Sequence, residues 1–166
     1  VKILNPLSSE LGVMRQTLLY SGLESISHNL NRRMSALKFY EFGNVYQYNP
    51  AQAESTDVTR KYSENKKLSI YGTGSQQSES WYMPARVADY HFLKSTVFSV
   101  LRKTGIALHK LVATEINAHL FAEGESFSIS NKPLLSIGKL NTATLKQFDI
   151  KQEVFYAEVD WSALLR

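Results

Sequence analysis

The chain has 166 residues, no cysteine and a formal charge of +4, with 43% apolar and 20% charged side chains. That length suffices for one domain with a real core, and the lack of cysteine excludes disulfide scaffolds, thiol catalysis and thiolate zinc sites. No run approaches the roughly 18 apolar residues that a membrane-spanning helix requires. No signal-peptide pattern is present. The small positive excess tolerates a polyanionic partner without demanding one. Val1 in place of a starting methionine raises the expectation of a piece cut from a longer chain, and the missing cysteines suit a cytoplasmic protein.

In chain order, residues 5–13 read as a turn, punctuated by Asn5-Pro6 and Ser8-Ser9. From about Gln16 to Met34 the period is helical: Leu19, Leu23, Ile26, Leu30 and Met34 fall on one face, and Thr17 is a candidate cap. Gly22 weakens that helix, since glycine costs about 1 kcal/mol in a helix interior. Leu37 to Phe42 and Val45 to Tyr48 read as a strand, with Gly43 marking a bulge or a close backbone approach. Residues 49–66 form a polar, mobile hairpin connection, and 67–74 the returning strand, with Leu68, Ile70 and Gly72 on one face. Residues 75–80 are a loop.

Asp89 then caps a second helix with Leu93, Val97, Val100 and Leu101 as its apolar stripe; Arg102 and Lys103 suit its C-terminal dipole and Gly105 stops it. Residues 110–117, 126–130 and 134–140 read as strands, the last two joined by a turn at Asn131-Lys132-Pro133. Asn141 caps a short helix to Phe148, with Leu145 and Phe148 turned inward. In the final strand, 153–160, Val154, Tyr156 and Glu158 face one way and Phe155, Ala157 and Val159 the other. Short turns between strands make them antiparallel, so the expected class is α+β, in one module over residues 1–166.

Little here can do chemistry. His28, His91, His109 and His119 lack metal-ligand spacing, Gly72-Thr73-Gly74 fails the dinucleotide pattern at Gln77, and Gly138-Lys139 lacks the upstream glycine of a phosphate loop. Glu123/Glu125 and Glu158/Asp160 are carboxylate pairs that a strand would place on one face, where acid–base work is conceivable and a solvated edge is the plainer reading. Arg15 could meet a phosphate or a carboxylate, with a surface ion pair as the default. Arg32, Arg33 and Lys38, the run Arg60, Lys61, Lys66 and Lys67, and the rings of Tyr62 and Trp81 could serve nucleic-acid contact; helix-end charge and a solvated loop are the bland alternatives. No residue emerges as catalytic, cofactor-binding or metal-ligating.

Asn5, Pro6, Leu7, Ser8, Glu10, Met14, Arg15, Thr17, Leu18, Leu19, Leu23, Asn29 and Arg32, followed by Phe42, Gly43, Val45 and Tyr46, form an ordered pattern. It continues in ADYHFLKSTVFSVLRKTGI and in SIGKLNTATLKQFDIKQEVFYAEVDWSALL. Over nearly its whole length the chain resembles the beta subunit of bacterial phenylalanine–tRNA ligase. Two stretches depart from the family: 117–124 reads NAHLFAEG where a His-Pro-Gly-Arg type of turn is usual, and Lys139-Leu140-Asn141-Thr142 stands for Glu-Leu-His-Pro. The resemblance implies an antiparallel sheet flanked by helices, like a class II aminoacyl-tRNA synthetase, but without its chemistry. Gln47 stands near the place where the catalytic alpha subunit has a phosphate-gripping arginine. It further implies an alpha subunit partner in an alpha2-beta2 heterotetramer, tRNA(Phe) met through that holoenzyme, and ATP and magnesium used by the holoenzyme rather than by this module. The family's opening helix and strand precede the first matched segment, so an exposed edge strand or apolar face, and self-association, are expected of the isolated chain.

Overall fold

A computed structural model describes residues 1–3, 12–77 and 80–164. The turn expected over 5–13 thus lies mostly outside the described residues. Six strands form one antiparallel sheet in the order β1-β2-β8-β7-β6-β5: β1 Leu37–Tyr48, β2 Tyr62–Thr73, β5 Val112–Thr114, β6 Phe121–Ile129, β7 Lys132–Leu140 and β8 Val154–Asp160. A small hairpin, β3 Ser75–Gln77 with β4 Arg86–Val87, stands apart from it. The helices are α1 Leu19–Asn31, α2 Tyr90–Lys103, α3 Thr142–Lys146 and α4 Trp161–Leu164.

The period-2 alternation of the strands divides the core into two layers. Leu68, Leu135, Ile137, Phe155, Ala157 and Val159 meet Leu93, Val97 and Leu101 of α2 on one face. Tyr71, Leu140, Val154 and Tyr156 meet Leu19, Leu23 and Ile26 of α1 and Leu145 of α3 on the other. The facing assigned to β8 from its sequence is the one found, and Asp89 and Asn141 cap α2 and α3 through the N–H groups of Phe92 and Ala143.

Several boundaries differ from the sequence reading, each for a local reason. Helix α1 stops at Asn31 and Met34 is 55% exposed. Arg33 turns left-handed at φ 65°, so that Met34 N–H reaches the Asn29 carbonyl at 3.1 Å and Arg33 N–H the Leu30 carbonyl at 2.8 Å, a Schellman closure. At its start, the Thr17 hydroxyl accepts from Leu19 N–H at 3.1 Å, although Leu18 is the capping position. Strand β1 runs through Gly43 without a bulge, paired from Leu37↔Thr73 to Tyr48↔Tyr62. Strand β2 begins at Tyr62, inside the expected loop, and the connection from β1 carries two 3-10 turns at Pro50–Gln52 and Val58–Lys61. The expected loop at 75–80 contains β3, and the strand expected over 110–117 is only Val112–Thr114. The β6–β7 turn sits on Ser130 and Asn131, both at positive φ as a two-residue hairpin turn demands. Pro133 is therefore inside β7, opposite Ser128; pairing with β8 starts only at Leu135, so its missing N–H breaks no ladder there.

Candidate functional site

Where β1 passes the start of α1, a cleft of about 590 Å³ is lined by Val13, Met14, Arg15, Gln16, Thr17, Tyr20, Ser21 and Gln47. Arg15 is its cation. The Nη1 of Arg15 donates to Glu41 Oε1 at 2.6 Å and Nε to the Asn44 carbonyl at 3.0 Å, while the Arg15 carbonyl accepts from Tyr46 N–H at 2.9 Å. Glu41 Oε2 also accepts from Ser21 Oγ at 3.3 Å. The default expected of Arg15, an ion pair, is what forms. A Cβ at Gly43 would stand 2.2 Å from Arg15 Nη2 and 2.8 Å from Leu18 Cδ2, so Gly43 serves a close approach rather than a bulge.

Beneath the cleft lies a carboxylate that the sequence reading undervalued. Glu158 Oε2 accepts from the Tyr156 hydroxyl at 2.6 Å, the Thr17 hydroxyl at 2.8 Å and Leu18 N–H at 3.3 Å. Tyr71 donates to the Leu18 carbonyl at 2.7 Å, and its ring lies 4.9 Å from Tyr156 and 4.7 Å from Phe39. Burial, more than the neighbouring Glu158 charge, pushes the Tyr156 phenol well above its usual range, and burial does the same to Tyr71. A Cβ on Gly22 would fall 2.1 Å from Tyr71 Cζ, so that glycine lets the tyrosine lie against α1. The space between α1 and the sheet is thus filled with rings and leucines. Tyr71, Tyr156 and Gly22 were missed in the sequence as a unit, because they come together only across three elements.

The carboxylate pairs separate. Asp160 meets Lys67 Nζ at 3.2 Å and accepts from Ala163 N–H at 3.1 Å, away from the partners of Glu158. Glu123 lies 3.5 Å from Lys139 Nζ, while Glu125 accepts from Lys94 and the Tyr90 hydroxyl. The Lys94 ammonium, and after it the Tyr90 hydroxyl, hold the Glu125 carboxyl below its usual range. Lys94 is itself enclosed, with its Nζ 5.4, 5.5 and 5.3 Å from the rings of Tyr90, Phe98 and Phe127. Each acid therefore has a structural partner, and none of these pairs is poised for proton transfer.

The remaining candidates are scattered. All four histidines are exposed, and among the described residues no group of three or more His, Asp or Glu could hold a metal ion. Gly74, at φ 72°, ends β2 against the Ser35 carbonyl. Gly138 faces Gly124 across β6 and β7, so Gly138-Lys139 is a strand contact and not a phosphate loop. Arg32 and Arg33 end α1 in solvent, Lys67 pairs with Asp160, and Arg60 lies 3.5 Å from Asp57. Tyr62 is exposed and its ring lies tilted beside that of Tyr48, centroids 5.6 Å apart.

ATP and magnesium, which the resemblance assigns to a holoenzyme, do not fit this cleft. A triphosphate needs converging positive charge, and here the cation is already matched by Glu41 while Gln47 carries none. The acids beside it, Glu41 and Glu158, are occupied by cationic, hydroxyl and amide donors.

The family model described as the phenylalanyl tRNA synthetase beta chain CLM domain matches residues 1–161. The phenylalanine–tRNA ligase beta subunit of Bacteroides thetaiotaomicron is 40% identical over 167 residues, covering 100% of this chain and 20% of the relative. That of Porphyromonas gingivalis is 36% identical over 166 residues, covering 99% and 20%. The chain thus spans about a fifth of the length of the curated relatives it matches. Among solved structures, the pyrrolysyl-tRNA synthetase of Desulfitobacterium hafniense superposes with a TM-score of 0.60 at 14% identity, over 91% of this chain and 48% of that one. At that identity the likeness concerns the fold, and it bears out the expected α+β, class II synthetase-like sheet. The helix, strand and sequence matches converge: the chain belongs to the phenylalanyl tRNA synthetase beta chain CLM domain family.

Proposed function

We propose that residues 1–166 are one non-catalytic core module of a longer phenylalanine–tRNA ligase beta subunit. The module packs with the catalytic alpha subunit in an alpha2-beta2 heterotetramer, in the cytoplasm. That holoenzyme uses ATP and magnesium to attach phenylalanine to tRNA(Phe), and its alpha subunit performs the chemistry. The observation that carries this reading is the Arg15–Glu41 pair beside Gln47: the cleft's cation is spent inside the protein. The filled layer of Tyr71, Tyr156, Leu19 and Leu23 supports it further, because it leaves the α1 side of the sheet as core.

A second reading, direct tRNA binding by the basic residues at 32–38 and 60–67, loses three of its cations to partners inside the protein: Arg60 lies 3.5 Å from Asp57, Lys67 3.2 Å from Asp160, and Lys38 donates to the Gln76 carbonyl. Phosphate-backbone binding relies on a surplus of cations.

Co-expression of this chain with an alpha subunit, followed by pull-down and ATP–pyrophosphate exchange, tests the proposal. The expected result is a stable complex and no exchange by the isolated chain. Exchange activity from the chain alone, or failure to capture alpha, overturns it.

A further inference from the structure

Strand β1 ends the order of the six-stranded sheet, so one side of its backbone has no strand beside it. In a strand, the N–H and C=O of one residue point to the same side, and those of the next residue to the other. Three contacts fix which side is which. Tyr46 N–H donates to the Arg15 carbonyl and the Asn44 carbonyl accepts from Arg15 Nε, both away from β2. The Glu41 carbonyl faces β2 and accepts from Ser69 Oγ at 3.4 Å. The even-numbered residues Tyr40, Phe42, Asn44 and Tyr46 therefore carry the outer edge.

Arg15 meets that edge as a strand of one residue would. In a parallel ladder, a residue accepts from the residue after the one it faces and donates to the residue before it. Arg15 accepts from Tyr46 at 2.9 Å and donates to Asn44 at 3.0 Å, which sets it opposite Val45. The acceptor is its backbone carbonyl, but the donor is the guanidinium Nε. A bond made by a side chain passes no ladder on to the next residue, so the pairing stops there. The chain is pinned on both sides of this point: Met14 N–H donates to the Val1 carbonyl at 2.8 Å, and the Thr17 hydroxyl to Glu158 at 2.8 Å. Among the described residues, Tyr40 and Phe42 make no backbone bond on the outer side.

We propose that Arg15 is an edge guard: it fills the place beside Val45 so that β1 of a second copy of this chain cannot pair along the whole strand. The excluded occupant follows from the strand itself. Two antiparallel copies of β1 centred on Phe42 would set Tyr40 opposite Asn44 and Lys38 opposite Tyr46, every one an outward-facing residue. Arg15 already holds the Asn44 and Tyr46 groups that this pairing needs. A long open edge is a template for strand addition, and a blocking group keeps it single. Arginine suits the task because its fork serves two acceptors at once, Nε on Asn44 and Nη1 on Glu41 at 2.6 Å, where a lysine ammonium is a single point. Guarding the edge needs the Nε bond, whereas neutralising the cleft needs only the charge.

Residue-resolved hydrogen exchange at the Tyr46 amide of the full-length beta chain tests this, with Arg15→Ala set beside Glu41→Gln. Arg15→Ala should raise exchange at Tyr46 about tenfold, because the carbonyl that accepts from it loses its tether. Glu41→Gln keeps the Nε donor and should raise it less than about twofold. Sedimentation velocity should then show dimers of Arg15→Ala at about tenfold lower concentration than of the unaltered chain. Unchanged exchange at Tyr46 overturns the proposal. An equal rise in both variants makes the ion pair the cause and overturns it too. A rise spread over α2 and β7 makes Arg15 a support of the whole fold, and raised exchange without added dimerisation makes it an anchor that excludes nothing; either result is equally fatal.

Discussion

Single atoms decide the fate of the residues that looked chemical. Arg15 and Glu41 are 26 positions apart, and a guanidinium that could have met a phosphate meets a carboxylate instead. Such a pair, with side chains 40% and 33% exposed, contributes little stability, about 0–1 kcal/mol. Its consequence is electrostatic: it neutralises the cleft. Gly22 shows the same dependence on distant partners. Propensity argues against a glycine in α1, yet Tyr71 occupies the space of its missing side chain. Tyr71 is held by its hydroxyl and by two neighbouring rings, so it has nowhere to go. Gly22→Ala should therefore destabilise the chain by about 1–3 kcal/mol through overpacking, although alanine is the better helix former, as measured by urea unfolding. Glu125 carries a pH signature. Its folded carboxyl titrates below the usual value, so its stabilisation is complete above the unfolded range near 4.3 and is lost as pH falls through the lower folded value. Replacing it in Glu125→Gln should flatten the loss of urea midpoint on acidification below about pH 4, by a small amount because the carboxylate is partly solvated.

At the scale of elements, apolar period and capping chemistry were strong guides. Leu19, Leu23 and Ile26 of α1 and Leu93, Val97 and Leu101 of α2 are buried as their spacing predicts. What the spacing could not locate is the end of α1, since Met34 continues the apolar stripe while the backbone has already turned at Arg33. A left-handed arginine is a local cost that glycine would remove. Arg33→Gly should stabilise the chain by about 0.5–1 kcal/mol, after subtraction of the extra entropy glycine brings to the unfolded state. Thermal or urea unfolding would register it, and a loss of stability would show that the Arg33 side chain makes a compensating contact. Strand limits were less readable than helix faces. Polar sequence around Tyr62 to Lys66 looks like loop, and becomes strand because β1 supplies a paired edge through Tyr48.

For the whole molecule, coverage of the sheet is uneven. One face has α1 and α3 against it, while the other has α2 and α4 and covers β1 only in part: Phe42 meets Trp161 of α4 at 4.8 Å, and Tyr40 is left 70% exposed. Strand β1 is also the edge of the six-stranded sheet. An isolated chain with such an edge and an exposed aromatic strip should self-associate as concentration rises. Sedimentation velocity over a range of concentrations tests this. The double substitution Tyr40→Lys and Phe42→Lys should shift the association to at least about tenfold higher concentration, because a charged edge resists pairing. Equal association of the double variant would place the contact elsewhere. This behaviour belongs to the chain without its partners.

Local chemistry sufficed to establish the class of this protein: two amphipathic helices, strands joined by short turns, capping residues at Asp89 and Asn141, and an ordered motif set from Asn5 to Trp161. Those features depend on near neighbours and periodicity, which are written along the chain. Whether Arg15 is available, why Gly22 is tolerated, how Glu158 is held and how much of β1 stays exposed depended on residues brought together from far along the chain. Thr17 and Glu158, 141 positions apart, share one hydrogen bond only because α1 is laid across β8. Contacts of that range are selected by the packing of layers, and no local pattern announces them.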